Sequence, residues 1–113
     1  MSDEIKIREM PGTWVVRAGG AVLGETRKAL ELSEGDLAPV IYFPREDLAM
    51  AMLDPSPTRT TCPKKGEASY YSIQAKSGLI ADAGWSYETP FDGVAAIAGH
   101  IAFFGDKATV EEV

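Results

Sequence analysis

The sequence predicts a mainly β domain of antiparallel strands with a single short α-helix near residues 45–53. Three observations carry this. Residues 79–87 alternate between two faces with the period of a strand, and residues 100–104 form a short apolar strand. Turn residues, Gly19-Gly20 and Lys76-Ser77-Gly78, separate strand-like runs. Only one stretch carries apolar residues at helical spacing. At 113 residues, the chain is expected to form a single domain over residues 1–113. A chain of this length buries about two-thirds of its unfolded surface in one core.

In chain order, residues 14–18 and 21–25 flank Gly19-Gly20 as a β-hairpin, the glycines supplying the positive φ angles that tight turns need. Residues 39–43 form a short apolar strand. Pro44 then stands where a helix begins, with Glu46 and Asp47 favourable in its first turn. Leu48, Ala49, Met52 and Leu53 make one apolar stripe, and Asp54-Pro55-Ser56-Pro57 is expected to end the helix. A second hairpin runs through 68–74 and returns through 79–87. On the return strand Leu79, Ala81, Ala83, Trp85 and Tyr87 share one face, and Ile80, Asp82, Gly84 and Ser86 the other. After a turn-rich stretch over 90–99, the last strand points His100, Ala102 and Phe104 one way and Ile101 and Phe103 the other.

Composition narrows the function. Eleven Lys plus Arg against seventeen Asp plus Glu give a net charge of -6, which repels a phosphate backbone and argues against nucleic-acid binding. No window approaches the apolar length of a membrane span, and the acidic start Met1-Ser2-Asp3-Glu4 is unlike a signal peptide, so a cytoplasmic location is expected. Cys62 is the single cysteine and His100 the single histidine, which excludes an internal disulfide, a Cys-rich zinc site and a His-rich metal site. No phosphate loop, dinucleotide fingerprint, H-E-x-x-H or G-x-S-x-G motif occurs, and no cofactor is expected.

Three clusters carry candidate chemistry, each with a structural alternative. In Thr61-Cys62-Pro63-Lys64-Lys65-Gly66, Cys62 reads as a thiol near cations and Lys64 and Lys65 as an anion-binding pair; alternatively the thiol is buried and the lysines solvated. Gly66 would let a ligand approach the backbone. In the run from Tyr42 to Asp47, Arg45 offers a fork for a carboxylate or phosphate that Asp47 orients, or the two only cap a helix. Asp82 sits mid-strand, where a carboxylate needs partners. His100 reads as a general base for Cys62 or as a histidine fixing a strand end, and Tyr70, Tyr71, Trp85 and Tyr87 as pocket walls or core.

Taken together, Tyr42-Phe43-Pro44-Arg45-Glu46-Asp47, Cys62-Pro63-Lys64-Lys65-Gly66-Glu67-Ala68-Ser69-Tyr70, Ala81-Asp82-Ala83-Gly84-Trp85-Ser86-Tyr87 and Ile97-Ala98-Gly99-His100-Ile101-Ala102-Phe103 resemble the bacterial "domain of unknown function 427" family over about residues 13 to 105. The resemblance implies a compact complex of several coiled antiparallel sheets, similar to the β-tent group. Zinc-binding relatives there use paired C-x-x-C knuckles, which one cysteine cannot supply. Some members carry a nucleotidyltransferase label, whereas this sequence has neither paired metal-binding aspartates nor a phosphate loop. The family's recurrent residues map onto Tyr42, Arg45, Asp47, Cys62, Lys65, Gly66, Tyr70, Asp82, Trp85, Tyr87 and His100. Its usual tail differs from the closing residues 105–113, so a different C-terminal edge is expected.

Two functions follow. In the first, the loop from Cys62 to Gly66 meets Arg45, Asp82 and His100 around a small, anionic ligand, with Cys62 and His100 as candidate catalytic residues. Tyr42, Arg45, Asp47, Lys64, Lys65, Tyr70, Asp82, Trp85 and Tyr87 then contact the ligand. In the second, the domain is a non-catalytic binding or homodimeric assembly module in which these residues are structural. One open cavity holding Arg45, Lys65, Asp82 and His100 favours the first; separate pairing of each favours the second.

Overall fold

The computed structural model describes residues 4–113; Met1-Ser2-Asp3, at the acidic start, lies outside the described residues. Its strands are β1 (Ile5–Glu9), β2 (Trp14–Ala18), β3 (Ala21–Thr26), β4 (Leu30–Glu34), β5 (Val40–Tyr42), β6 (Leu53–Cys62), β7 (Gly66–Ala75), β8 (Gly78–Ser86), β9 (Ile101–Phe103) and β10 (Thr109–Glu112). They form three sheets ordered β1-β4-β5, β10-β2-β3 and β6-β7-β8-β9. Every pairing is antiparallel. The mainly β class read from alternation is the class observed.

Both hairpins form. Gly19 and Gly20 take φ of 57° and 81° between β2 and β3, as a turn with two left-handed residues demands. The second hairpin closes on Ala75 opposite Gly78.

Alternation also explains why the sheets stay together. On β5, Val40 and Tyr42 pack into one core cluster and Ile41 into another. On β7, Ala68 and Tyr70 join the first of these, Tyr71 and Ile73 the second. On β9, Ala102 goes one way and Ile101 and Phe103 the other, as the sequence pattern predicts. These strands are thus apolar on both faces and lie between two cores. The backbone of Phe43 exchanges two hydrogen bonds with Ile101, at 2.8 and 2.9 Å, and so couples the first sheet to the third. Phe43 and Ile101 are both fully buried, and burying such a side chain is worth about 1.5–3 kcal/mol.

The expected α-helix over 45–53 is replaced by two 3-10 turns, Arg45–Asp47 and Met50–Met52, with Leu48 extended between them at φ -112° and ψ 148°. The reason is non-local. Leu48 forms a β-bridge with Gly24, and the Ala49 amide donates to the Leu23 carbonyl at 2.7 Å, bonds that a continuous helix would have spent on itself. The two prolines do not end an element either: β6 runs through them. It is the edge of its sheet, Pro55 sits opposite Tyr71, and the register skips between Ser56 and Arg59, which accommodates Pro57. Edges and bulges are where a sheet tolerates proline.

The regular alternation expected along β8 is broken at Asp82, whose φ is +47°. The register jumps there, so Ile80 and Ala83 pack against the same core although their parity differs. Among the described residues no helix is long and apolar enough to cross a membrane.

Candidate small-molecule site

Strand parity builds a hollow beside the core that holds Val40 and Tyr42. On β4, Leu32 and Glu34 share a face, as do Val40 and Tyr42 on β5. Tyr70 comes from β7, Trp85 from β8, Tyr87 just beyond it and Phe104 just after β9. With Leu37, Ala38 and Lys65 they enclose about 220 Å³. The walls brace one another. Trp85 meets Tyr42 edge-on at 6.3 Å and Phe104 at 4.6 Å, while Tyr70 lies nearly parallel to Phe104 at 6.3 Å. Trp85 Nε1 donates to the Tyr42 hydroxyl at 3.2 Å, and the Tyr70 hydroxyl bonds Thr60 Oγ1 at 2.8 Å. Aromatic pairs in such edge and offset arrangements hold their geometry.

The polar end is Lys65, only 9% exposed. It sits in the turn between β6 and β7, whose amide donates to the Cys62 carbonyl and whose carbonyl accepts from the Phe91 amide. Its ammonium donates to Glu34 Oε1 at 2.7 Å and lies 3.6 Å from Cys62 Sγ. Lys64 approaches the other Glu34 oxygen at 3.6 Å. The Lys65 hydrogen bond holds the Glu34 carboxyl below its ordinary range. Burial pulls Lys65 down, but the Glu34 hydrogen bond and the surrounding charges outweigh it and leave the ammonium raised. Burial pushes the Tyr42 hydroxyl far above its usual value and raises that of Tyr87, against the pull of Lys65. Both phenols therefore stay protonated and remain able to donate.

The residues singled out by sequence divide among four places. Tyr42, Lys65, Tyr70, Trp85 and Tyr87 line this hollow, with Lys64 and Cys62 at its polar end. Arg45 and His100 line a different one with Glu46, Glu88, Ala98 and Gly99. There Arg45 Nε donates to the Gly99 carbonyl at 3.1 Å, its Nη2 pairs with Glu88, and its guanidinium stands 5.7 Å from the Tyr71 ring centre. Asp47 caps no α-helix but accepts from Thr26 Oγ1 at 2.8 Å. Asp82 lies in the β8 bulge: its carboxylate accepts from Thr58 Oγ1 at 2.8 Å and its amide donates to Ser72 Oγ at 3.0 Å. The Ser56 and Thr58 hydroxyls hold its carboxyl below the ordinary value. Aspartate tolerates the left-handed backbone better than most residues, so Asp82 shapes the strand.

The expected shared hollow of the loop from Cys62 to Gly66, Arg45, Asp82 and His100 is therefore not formed. Among the described residues no hydrogen bond joins Cys62 to His100, so the thiol has no imidazole base. Gly66, at φ +118°, faces the chain's own Thr89 and Pro90, so its role is to permit the turn. Among the described residues no group of three or more His, Cys, Asp or Glu side chains is placed to hold a metal ion.

Sequence reasoning passed over Glu34, Leu32, Val40 and Phe104 as site residues. The signal for Glu34 was the alternation Leu30-Glu31-Leu32-Ser33-Glu34, which sets an acid at the end of an otherwise apolar face.

Fold and hollow together define a small antiparallel β domain with an aromatic-walled pocket and a lysine–glutamate pair at one end. The chain belongs to the family described as Domain of unknown function (DUF427), whose model matches residues 6–113. That match reaches through β10, beyond the span over which the sequence motifs run. No curated protein matches the chain.

Proposed function

We infer that the domain binds a small, flat, largely apolar molecule carrying an anionic group, in the pocket of Tyr42, Tyr70, Trp85, Tyr87 and Phe104. The observation that carries this reading is the nearly buried Lys65 ammonium at the end of that aromatic hollow. An ammonium has three donors; Glu34 takes one and Cys62 Sγ lies near a second, which leaves one for a carboxylate or phosphate oxygen. The apolar rings supply contact area, and a few polar groups fix orientation, the usual division of labour in ligand pockets. The hollow is smaller than drug-sized sites, which run from about 300 Å³ upward, so it fits a ring with one charged substituent.

Binding without catalysis is the favoured form. Arg45, Lys65 and Asp82 each have their own partners, in keeping with structural roles for Arg45 and Asp82, and the thiol lacks a base. A cytoplasmic setting belongs to the same reading.

The test is a thermal-shift and calorimetric panel of aromatic carboxylates (benzoate, nicotinate, indole-3-acetate) against their uncharged amides. The acids should stabilise the protein by mass action and the amides should not. Lys65→Met should weaken the best acid about tenfold or more, the loss of one charged hydrogen bond. Acids and amides binding alike, or Lys65→Met binding as the wild type does, would refute the assignment.

A further inference from the structure

A third hollow, of about 560 Å³, adjoins the Arg45 hollow through Glu46 and His100 and shares no lining residue with the aromatic pocket. It is bounded by the end of β1, the segment between β3 and β4, the turn after Pro44, and His100. Its charged groups fall into two sets. Lys28 and Glu46 neutralise one another across 2.9 Å. Arg27 and Glu9 do not: both line the hollow and both are exposed, yet among the described residues neither is paired with another side chain or with the other. A guanidinium and a carboxylate held apart on one hollow present a donor fork and an acceptor to whatever enters.

His100 adds a second acceptor. Its Nδ1 lies 3.2 Å from the Ala98 carbonyl. A carbonyl only accepts, so Nδ1 carries the proton in that bond and the neutral ring keeps its lone pair on Nε2. Apolar Met10, Leu30 and Pro44 complete the wall.

We propose that this hollow binds a small zwitterion with an apolar side chain, a free α-amino acid of the leucine or methionine type. Its carboxylate sits on the Arg27 fork, its ammonium on Glu9 with His100 Nε2 as further acceptor, and its side chain against Met10 and Leu30. The volume lies within the usual range for small-molecule sites, about 300–1,000 Å³. A simple anion would leave Glu9 repelling it, and a simple cation would meet Arg27; a molecule bearing both charges satisfies both.

The experiment titrates L-leucine into the full chain by calorimetry and by amide chemical shifts. 4-Methylpentanoate, which lacks the ammonium, and 3-methylbutylamine, which lacks the carboxylate, are run alongside. Leucine should bind saturably with shifts at Glu9, Arg27 and His100, and each analogue should bind about tenfold more weakly. Arg27→Ala should weaken leucine by about the same factor and erase its advantage over the amine, and Glu9→Gln should erase its advantage over the acid. Lys65→Met should leave leucine binding unchanged, which separates this site from the aromatic pocket. Both altered residues are exposed, so circular dichroism and melting should match the wild type. Absence of saturable binding by leucine and methionine, equal binding of the two analogues and leucine, or indifference to Arg27→Ala would overturn the proposal.

Discussion

Replacing Glu34 by glutamine removes the only carboxylate that, among the described residues, bonds the nearly buried Lys65, while keeping the side chain's shape. A hydrogen bond between charged partners contributes about 1.5–3 kcal/mol. Breaking a fully buried ion pair costs about 3–5 kcal/mol, because the remaining charge is left in a poor solvent. Lys65 approaches that limit, but the Glu34 side chain keeps 17% of its surface, which places the loss near the lower range, about 2 kcal/mol. For a domain of this size that is a fall in Tm of about 8 °C. The dependence on pH fixes the cause. The folded Glu34 carboxyl lies below its ordinary 4.5, so its contribution is complete above 4.5 and is lost as pH falls through the folded value. The folded Lys65 lies above its ordinary 10.5, so its contribution is complete below 10.5 and is lost as pH rises through the folded value. The gap between wild type and Glu34→Gln, read by urea denaturation, should therefore be widest between these limits and narrow on either side. With Lys65→Met as the second arm of a double-mutant cycle, the two losses should fall well short of additive. A variant as stable as the wild type at pH 7, or a gap constant from pH 7 to 3, would refute the reasoning.

Gly24→Ala should destabilise the fold by about 1–3 kcal/mol in urea titration, since the added Cβ would stand 2.5 Å from the Asp47 carbonyl oxygen and 2.7 Å from Leu48 Cδ2; an unchanged midpoint would show that the bridge to Leu48 yields freely. Ile101→Ala, fully buried on the strand between the two cores, should cost about 2–5 kcal/mol, and a smaller loss by thermal melting would mean that β9 is not the shared wall. Asp82→Asn, which suits a φ of +47°, should melt close to the wild type, whereas Asp82→Val should melt clearly lower with ligand binding in the aromatic pocket unchanged. Equal melting of the two variants would remove the bulge argument.

Period-two patterning fixed the strands it covered because the inward and outward faces of a strand differ locally. The same reading of Leu48, Ala49, Met52 and Leu53 as a helical stripe failed, because spacing alone cannot register a bond from Leu23 to Ala49. Strands β1, at an edge, and β4, at the centre of the same sheet, carried their alternation in Ile5-Lys6-Ile7 and Leu30-Glu31-Leu32, yet the sequence reading assigned neither, because charged residues interrupt both runs. β6 was hidden by prolines that only an edge position permits.

The candidate site divides the same way. Residue types marked Lys65, Tyr70, Trp85 and Tyr87, since aromatic rings and an ammonium set among apolar strands need a shared purpose or a shared core, and the family resemblance added Tyr42. Only the tertiary structure decided that Glu34 neutralises Lys65, that Asp82 serves a bulge, and that Arg45 and His100 face a separate hollow. The physical reason is range. The chain's own composition determines side-chain chemistry and the alternation of strand faces, whereas proximity between residues many positions apart follows from which strands pair and in which register. That is settled by the sum of core packing over the whole domain.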